Sequence, residues 1–232
     1  MAIYITGDTH RDFDKIQEFC EFYGTSREDD VIIILGDAGI NYYLNNSDQD
    51  VKEDLSTVDI TFFCIHGNHE ERPYMIETYE ETQWHGGTVY IEPEYPNLIF
   101  AKDGEIYDFD GKKAIVIGGA YSIDKFVRLR CGEQWFETEQ PDEEIMQYVE
   151  KQLDRIQWQV NYVFSHTAPS KYEPREEFIP GMNQALVDKS TEKWLDEIEN
   201  KLTYERWFLG HYHCDKRIGN VTIMYNEFEE LY

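Results

Sequence analysis

Eight side chains able to bind a metal or move a proton recur in short, similar settings along the chain. They are Asp8 and His10 in "GDTH", Asp37 in "GDAG", Asn68 and His69 in "GNHE", His166 in "SHT", and His211 and His213 in "GHYH". Imidazole mixed with carboxylate and one amide oxygen, without thiolate, suits Mn, Fe, Zn or Ni better than a pure Mg or Ca site. Six or seven ligands are too many for one tetrahedral ion. They suffice for two divalent ions if one carboxylate bridges, and ions about 3.5–4 Å apart are typical of phosphoryl hydrolases. The spacing of Asp8/His10 and of His211/His213 predicts that each pair shares one face of an extended segment.

Such residues act together only if the fold gathers them. Five apolar runs rich in β-branched and aromatic residues precede them: 2–10, 31–39, 61–70, 161–169 and 206–213. Each breaks at Gly or a small polar residue, as expected of central strands buried on both faces. Helix-like segments fall over 12–23, 73–81, 143–156 and 184–202; in the last, Leu186, Trp194, Leu195, Ile198 and Leu202 suggest one apolar stripe. The alternation predicts an α/β layered fold. Stretch 97–119 reads as an antiparallel meander and 216–228 as a hairpin around Gly219-Asn220. No linker or repeat divides the sequence, so residues 1–232 are expected to form one domain. Ligands of open α/β sheets bind outside the carboxyl ends of the strands, which is where the eight residues stand.

Composition sets the surroundings. A formal charge of −26, from 47 acidic and 21 basic residues, repels long nucleic acid and anionic membrane surfaces. Acidic clusters such as "SREDD" and "DEEI" read as solvated surface, and the aromatic richness as core. Four cysteines without CxxC pairing fit a reduced compartment, and no apolar run approaches a membrane span or a signal peptide, so the cytoplasm is the expected location.

The blocks "GDTH", "GDAG", "GNHE", "SH" and "GHYH", in this order, resemble the five signature blocks of the calcineurin-like metallophosphoesterase superfamily. The resemblance implies a four-layer α/β sandwich of two mixed β-sheets flanked by helices. It implies that Asp8, His10 and His213 bind one divalent ion, that Asp37 bridges, and that Asn68, His166 and His211 complete the second site. His69 matches the histidine that protonates the leaving group. Two ions lower the pKa of a shared water toward about 7, and the resulting hydroxide attacks phosphorus in line. Two dications, two aspartates and one hydroxide sum to roughly +1, a cationic island for a small anionic phosphate ester, monoester or diester.

The protein Ser/Thr phosphatases of this superfamily read GDxVDRG in the middle block. Here "GDAGIN" lacks that arginine and second aspartate, which disfavours protein phosphatase activity. A scaffold that has lost activity is the reading from another class, but its signature, broken metal blocks, is not observed. Arg11 and Arg72 follow the first and third blocks and are candidate phosphate contacts. Stretch 121–141, with Arg128 among Lys125, Arg130, Phe126 and Trp135, is a candidate lid or recognition loop. His66 either borders the site or is an ordinary strand-end histidine, and His85 is a turn residue. Cys214 is rejected as a ligand because it should point away from His213.

Overall fold

Apolar alternation makes each central strand a two-sided wall, and the chain stacks these walls into layers. The structure, a computed structural model, describes residues 1–231; Tyr232 lies outside the described residues. The chain begins β1 (Ala2–Thr6), α1 (Asp14–Tyr23), β2 (Asp30–Ile34), α2 (Asn46–Ser56) and β3 (Thr61–Cys64). A hairpin follows, β4 (Glu80–Trp84) and β5 (Gly87–Ile91), and then β6 (Leu98–Ala101), β7 (Ile106–Phe109) and β8 (Lys112–Ile117). Helices α3 (Lys125–Cys131) and α4 (Glu143–Arg155) precede β9 (Tyr162–Ser165), and α5 (Ser190–Glu199) precedes β10 (Arg206–Leu209). Strands β11 (Lys216–Ile218), β12 (Val221–Ile223) and β13 (Glu229–Glu230) complete it.

Seven strands form one sheet in the order β13-β1-β2-β3-β6-β5-β4, and six form the other in the order β11-β12-β10-β9-β8-β7. In each, four parallel strands are flanked by antiparallel ones: β1, β2, β3 and β6 in the first, β8, β9, β10 and β12 in the second. Both sheets are therefore mixed. Val31 and Ile33 of β2 join Phe63, Val116, Phe164 and Phe208 in the core between the sheets. Ile32 and Ile34 point the other way and pack with Ile16 of α1 and Leu55 of α2. On the far side, Ile115 and Trp207 meet Val149 and Leu153 of α4 and Leu195 and Ile198 of α5. The layers run helix, sheet, sheet, helix, as expected.

Several expected elements change. Segment 73–81 is not a helix: a single 3₁₀ turn at Pro73–Met75 gives way to β4. Proline starts the turn, but Tyr74 and Met75 remain exposed, so no apolar stripe supports further helix. The last helix begins only at Ser190, and Leu186 is exposed rather than part of its stripe. Helix α2 was not anticipated. It buries only Asp48, Lys52 and Leu55, and it is initiated by Asn45, whose side chain accepts the Ser47 N–H. Stretch 97–119 is no single meander, because β6 pairs with β3 and β5 while β7 and β8 belong to the opposite sheet. The hairpin of β11 and β12 around Gly219-Asn220 is present.

Candidate metal centre

Strands β1, β2, β3, β9 and β10 stop at Thr6, Ile34, Cys64, Ser165 and Leu209, and Asp8, His10, Asp37, Asn68, His69, His166, His211 and His213 lie in the loops just beyond. These loops are tightly bent. His10, Asp37, His211 and His213 all adopt left-handed backbone, with φ of 46°, 49°, 69° and 50°. Such conformations are uncommon outside glycine, and at functional sites they cost on the order of 1–3 kcal/mol each. The expectation of extended Asp8/His10 and His211/His213 pairs is therefore corrected. The left-handed turns separate the paired rings: His211 sits edge-on to His166 at 5.0 Å, whereas His213 faces His10. Cys214 does point away, against the outer core of the second sheet.

Two groups of donors converge. Nε2 of His213 lies 3.3 Å from Oδ2 of Asp8 and 2.8 Å from Nε2 of His10. The second group gathers on Asp37, whose Oδ2 is 3.6 Å from Nε2 of His166, 3.8 Å from that of His10 and 3.9 Å from that of His69. Asp8, His10 and His213, and likewise Asp8, Asp37 and His166, each offer ligand atoms within 4.8 Å of one another. Oδ1 of Asn68 lies 2.9 Å from Nε2 of His166.

The donors are also oriented. Nδ1 of His166 lies 2.8 Å from the Leu35 carbonyl, to which it donates, so Nε2 faces inward as a ligand nitrogen would. The Asn68 amide nitrogen donates to Ser122 Oγ at 2.9 Å, which turns the amide oxygen inward. The His69 N–H donates to Oδ1 of Asp37, and the His211 N–H is shared by Oδ1 and Oδ2 of Asp8 at 2.9 and 3.2 Å; Oδ2 of each carboxylate faces the imidazoles. This set of imidazole nitrogens and hard oxygens, with lone pairs aimed at common points, fits a pair of divalent ions.

Charge follows the same plan. Burial pushes Asp37 up, but His166, His69 and His10 pull it well below the usual carboxylate range. Burial also raises Asp8, and its contact with His213 together with His166 and His10 brings it below its ordinary value. Burial lowers His166, but Asp37 and Asp8 outweigh it and lift the group to about 9. Burial and the neighbouring His166 push His211 down to about 3. The hydrogen bond to Asp8 raises His213. Burial and the Arg128 charge lower His69, against the pull of Asp37.

Glu70 was not singled out from the sequence, although it stands inside "GNHE". Its carboxylate accepts the N–H groups of Gly39 at 3.2 Å and Gly67 at 3.1 Å, and so ties the Asp37 loop to the Asn68 loop. Burial, then the charge of Asp37, pushes it up to about 8. Two glycines make room for the carboxylates themselves. A Cβ on Gly67 would stand 2.0 Å from Oδ1 of Asp37, and one on Gly210 would stand 2.2 Å from Oδ1 of Asp8. The carbonyl of Leu35 and the hydroxyl of Ser122 left no sequence signal, because one is main chain and the other lies 54 residues from its partner.

The arginines divide. Arg11 turns from the site: it donates to Asp48 Oδ1 at 2.5 Å, to the Gly39 carbonyl at 2.9 Å and to the Ser47 carbonyl at 2.8 Å. Arg72 is buried against the Asp103 carboxylate and donates to the Thr138 carbonyl. Both are held by ion pairs that order loops, Arg72 through Nε and Nη1, with Nη2 buried and unpartnered among the described residues. Arg128 donates to Asp124 Oδ2 and to the Gln134 carbonyl, and its charge bears on His69. It belongs to stretch 121–141, which contains the short helix α3 and is fastened by Glu139, acceptor from the Trp135 ring and the Ser122 N–H. His66 is buried, is held well below its ordinary pKa by burial and by Arg72, and donates toward the Thr138 carbonyl. It lines a cavity of about 360 Å³ with Arg72, Tyr74 and Tyr90. His85 occupies the turn between β4 and β5.

A double-sheet α/β sandwich with carboxylates and imidazoles massed at the parallel strand ends defines a metal-dependent hydrolase. The sequence matches the family of calcineurin-like phosphoesterases over residues 1–215, and the chain belongs to that family. It is a hydrolase of phosphate esters. None of the curated proteins matches the sequence. Among solved structures, TT1561 of Thermus thermophilus is similar in fold, with TM-score 0.53 and 12% identity over 99% of this chain and 97% of that one. A second, described as a novel archaeal phosphodiesterase, aligns over 100% and 99% of the two chains with TM-score 0.34 and 9% identity. Among the described residues no helix is long and apolar enough to cross a membrane.

Proposed function

We propose that the chain, acting as one catalytic domain, hydrolyses a small phosphodiester with two divalent ions held by Asp8, His10, Asp37, Asn68, His166, His211 and His213. The observation that carries this reading is the set of three imidazole nitrogens within 3.9 Å of Oδ2 of Asp37. When bound, the ions supply a water of lowered pKa and neutralise charge on the phosphoryl oxygens. Mn, Fe, Zn or Ni suits the donors, and four free cysteines suit a reduced cytoplasm.

His69 serves as the general acid. Burial, and after it the Arg128 charge, lower its pKa in the free protein, against the pull of Asp37 and Asp124. An anionic ester beside that guanidinium offsets its charge and returns His69 toward the protonated form, so proton delivery is coupled to substrate binding. The preference for a diester follows from the arginines. Arg11 and Arg72 are held in ion pairs away from the donors, and Arg128, although paired with the exposed Asp124, is the guanidinium whose charge bears on His69. One guanidinium matches the single charge of a diester better than the double charge of a monoester. Stretch 121–141 acts as the recognition lid.

The test is hydrolysis of bis-p-nitrophenyl and p-nitrophenyl phosphate by metal-stripped protein with Mn, Ni, Zn, Fe(II) or Mg restored. Metal-dependent turnover favouring the diester is expected. His69→Ala should retain metal and lose about 10²- to 10⁴-fold in rate on poorer leaving groups. Preference for the monoester overturns the charge argument. Two bound ions without turnover of any ester would point to a scaffold.

A further inference from the structure

The match to the family stops at residue 215, two positions beyond His213, yet the chain then returns to the site. After β12 the Met224 N–H donates to the Leu209 carbonyl, and the Tyr225 ring comes to lie flat on the His213 ring, centroids 4.7 Å apart and planes 16° from parallel. From this stack we infer that Tyr225 is a positioning residue for His213. The inference rests on the proposed metal role of His213.

His213 needs such a partner more than its neighbours do. A ligand histidine is ordinarily fixed by a hydrogen bond from its other ring nitrogen. His166 has one, to the Leu35 carbonyl. Among the described residues His213 makes its side-chain contacts through Nε2, to Oδ2 of Asp8 at 3.3 Å and to Nε2 of His10 at 2.8 Å, so Nδ1 has no partner among them to set the ring plane. Its side chain is also 47% exposed, against 0% for His166. A ring that is exposed, tethered at one nitrogen and carried on left-handed backbone rotates freely unless a face is covered. Tyr225 covers that face.

Tyr225 is itself built in. The Asp215 carboxylate accepts the N–H groups of Tyr225 at 2.7 Å, Asn226 at 3.1 Å and Glu227 at 3.3 Å. The Lys15 ammonium donates to the Tyr225 carbonyl and, at 3.3 Å, to Thr6 Oγ1, whose hydroxyl donates to the Glu227 carbonyl. The same ammonium lies 5.6 Å from the Tyr225 ring centroid. The segment passes so close over Gly7 that a Cβ there would stand 2.0 Å from the Met224 oxygen. Thus the residue before Asp8, the residue after Cys214 and a lysine of α1 all fix one aromatic ring.

The experiment is calorimetric titration of metal-stripped, full-length protein with Mn²⁺, alone and as Tyr225→Phe, Tyr225→Leu, Tyr225→Ala and His213→Ala. Phenylalanine keeps the flat face without the hydroxyl and should retain both affinities. Leucine and alanine should weaken one of the two ions about 2- to 10-fold and leave the other unchanged, the scale of one aromatic pair contact. Equal affinities in all Tyr225 variants, or equal weakening of both ions in the alanine variant, would overturn the role. If His213→Ala still binds two ions with wild-type affinity, the metal assignment fails first, and the two failures are thereby distinguished. Circular dichroism of each metal-free variant separates misfolding from loss of orientation, and the leucine variant carries the test if the alanine variant does not fold.

Discussion

The Leu35 carbonyl accepts the Nδ1 proton of His166 across 2.8 Å, between residues 131 positions apart in the chain. One backbone oxygen at the end of β2 thus fixes the tautomer of an imidazole at the end of β9 and aims its other nitrogen at Asp37 and Asn68.

Proton release accompanies metal uptake at this residue. In the metal-free protein Asp37 and Asp8 overcome burial and lift His166 to about 9, so the ring is protonated at pH 7. An ion can be bound only after that proton leaves Nε2. Metal affinity should rise with pH, by up to about tenfold per unit, until about pH 9. Because the folded value lies above the unfolded one, the charged ring stabilises the metal-free fold fully below about pH 6.5. This contribution is lost as pH rises through about 9. Titration calorimetry in buffers of different ionisation enthalpy reads the proton directly, and no buffer dependence at pH 7 would contradict the assignment.

Asp37→Ala should lower the occupancy of both ions, since its Oδ2 is the point nearest His10, His69 and His166 together. Elemental analysis after desalting provides the measure. Retention of two ions would remove the bridging role.

Above about pH 8, where Glu70 is ionised, Glu70→Gln places an amide NH₂ against one of two backbone N–H groups that now share a carboxylate. A buried donor left unsatisfied costs about 1–3 kcal/mol. For a chain of this size the melting temperature should fall by roughly 2–12 °C. Scanning calorimetry of the metal-free variant tests it, and an unchanged melting temperature would mean the loops are held by something else.

Arg11 and Arg128 should behave oppositely. Arg11→Ala removes the partner of a buried Asp48 carboxylate and should lower stability while leaving KM for a diester unchanged. Arg128→Ala should raise KM by about tenfold or more, the scale of one charge-assisted contact of roughly 1.5–3 kcal/mol. Steady-state kinetics beside thermal melts separate the two, and a reversed pattern would return Arg11 to the phosphate.

The sequence carried the sandwich and the candidate residues because both are written in local pattern: apolar strand runs, each ending at a block that holds a ligand type. Its failures share a cause. The helix expected at 73–81 became a turn and a strand because Tyr74 and Met75 are exposed and bury no stripe, and because Glu80 and Glu81 pair with β5. The meander at 97–119 divided between two sheets, a choice made by long-range partners. Arg11 and Arg72 looked like phosphate contacts because they sit near the blocks, but Asp48 and Asp103, 37 and 31 residues away, claim them. The left-handed turns at His211 and His213 are backbone facts, and extended spacing gave the wrong picture of two rings that go to different partners, His166 and His10.

The close seating of Asp37 on Gly67 and of Asp8 on Gly210 limits how this protein can change. Each contact joins two strand ends distant in sequence, so enlarging either glycine disturbs two metal-bearing loops in a single step. Compensation would require simultaneous replacements on separate strands. Divergence is therefore channelled outward, to the part of stretch 121–141 between Ser122, which orients Asn68, and Thr138, which holds Arg72. A new substrate is reachable by small mutational steps, whereas a new metal chemistry is not.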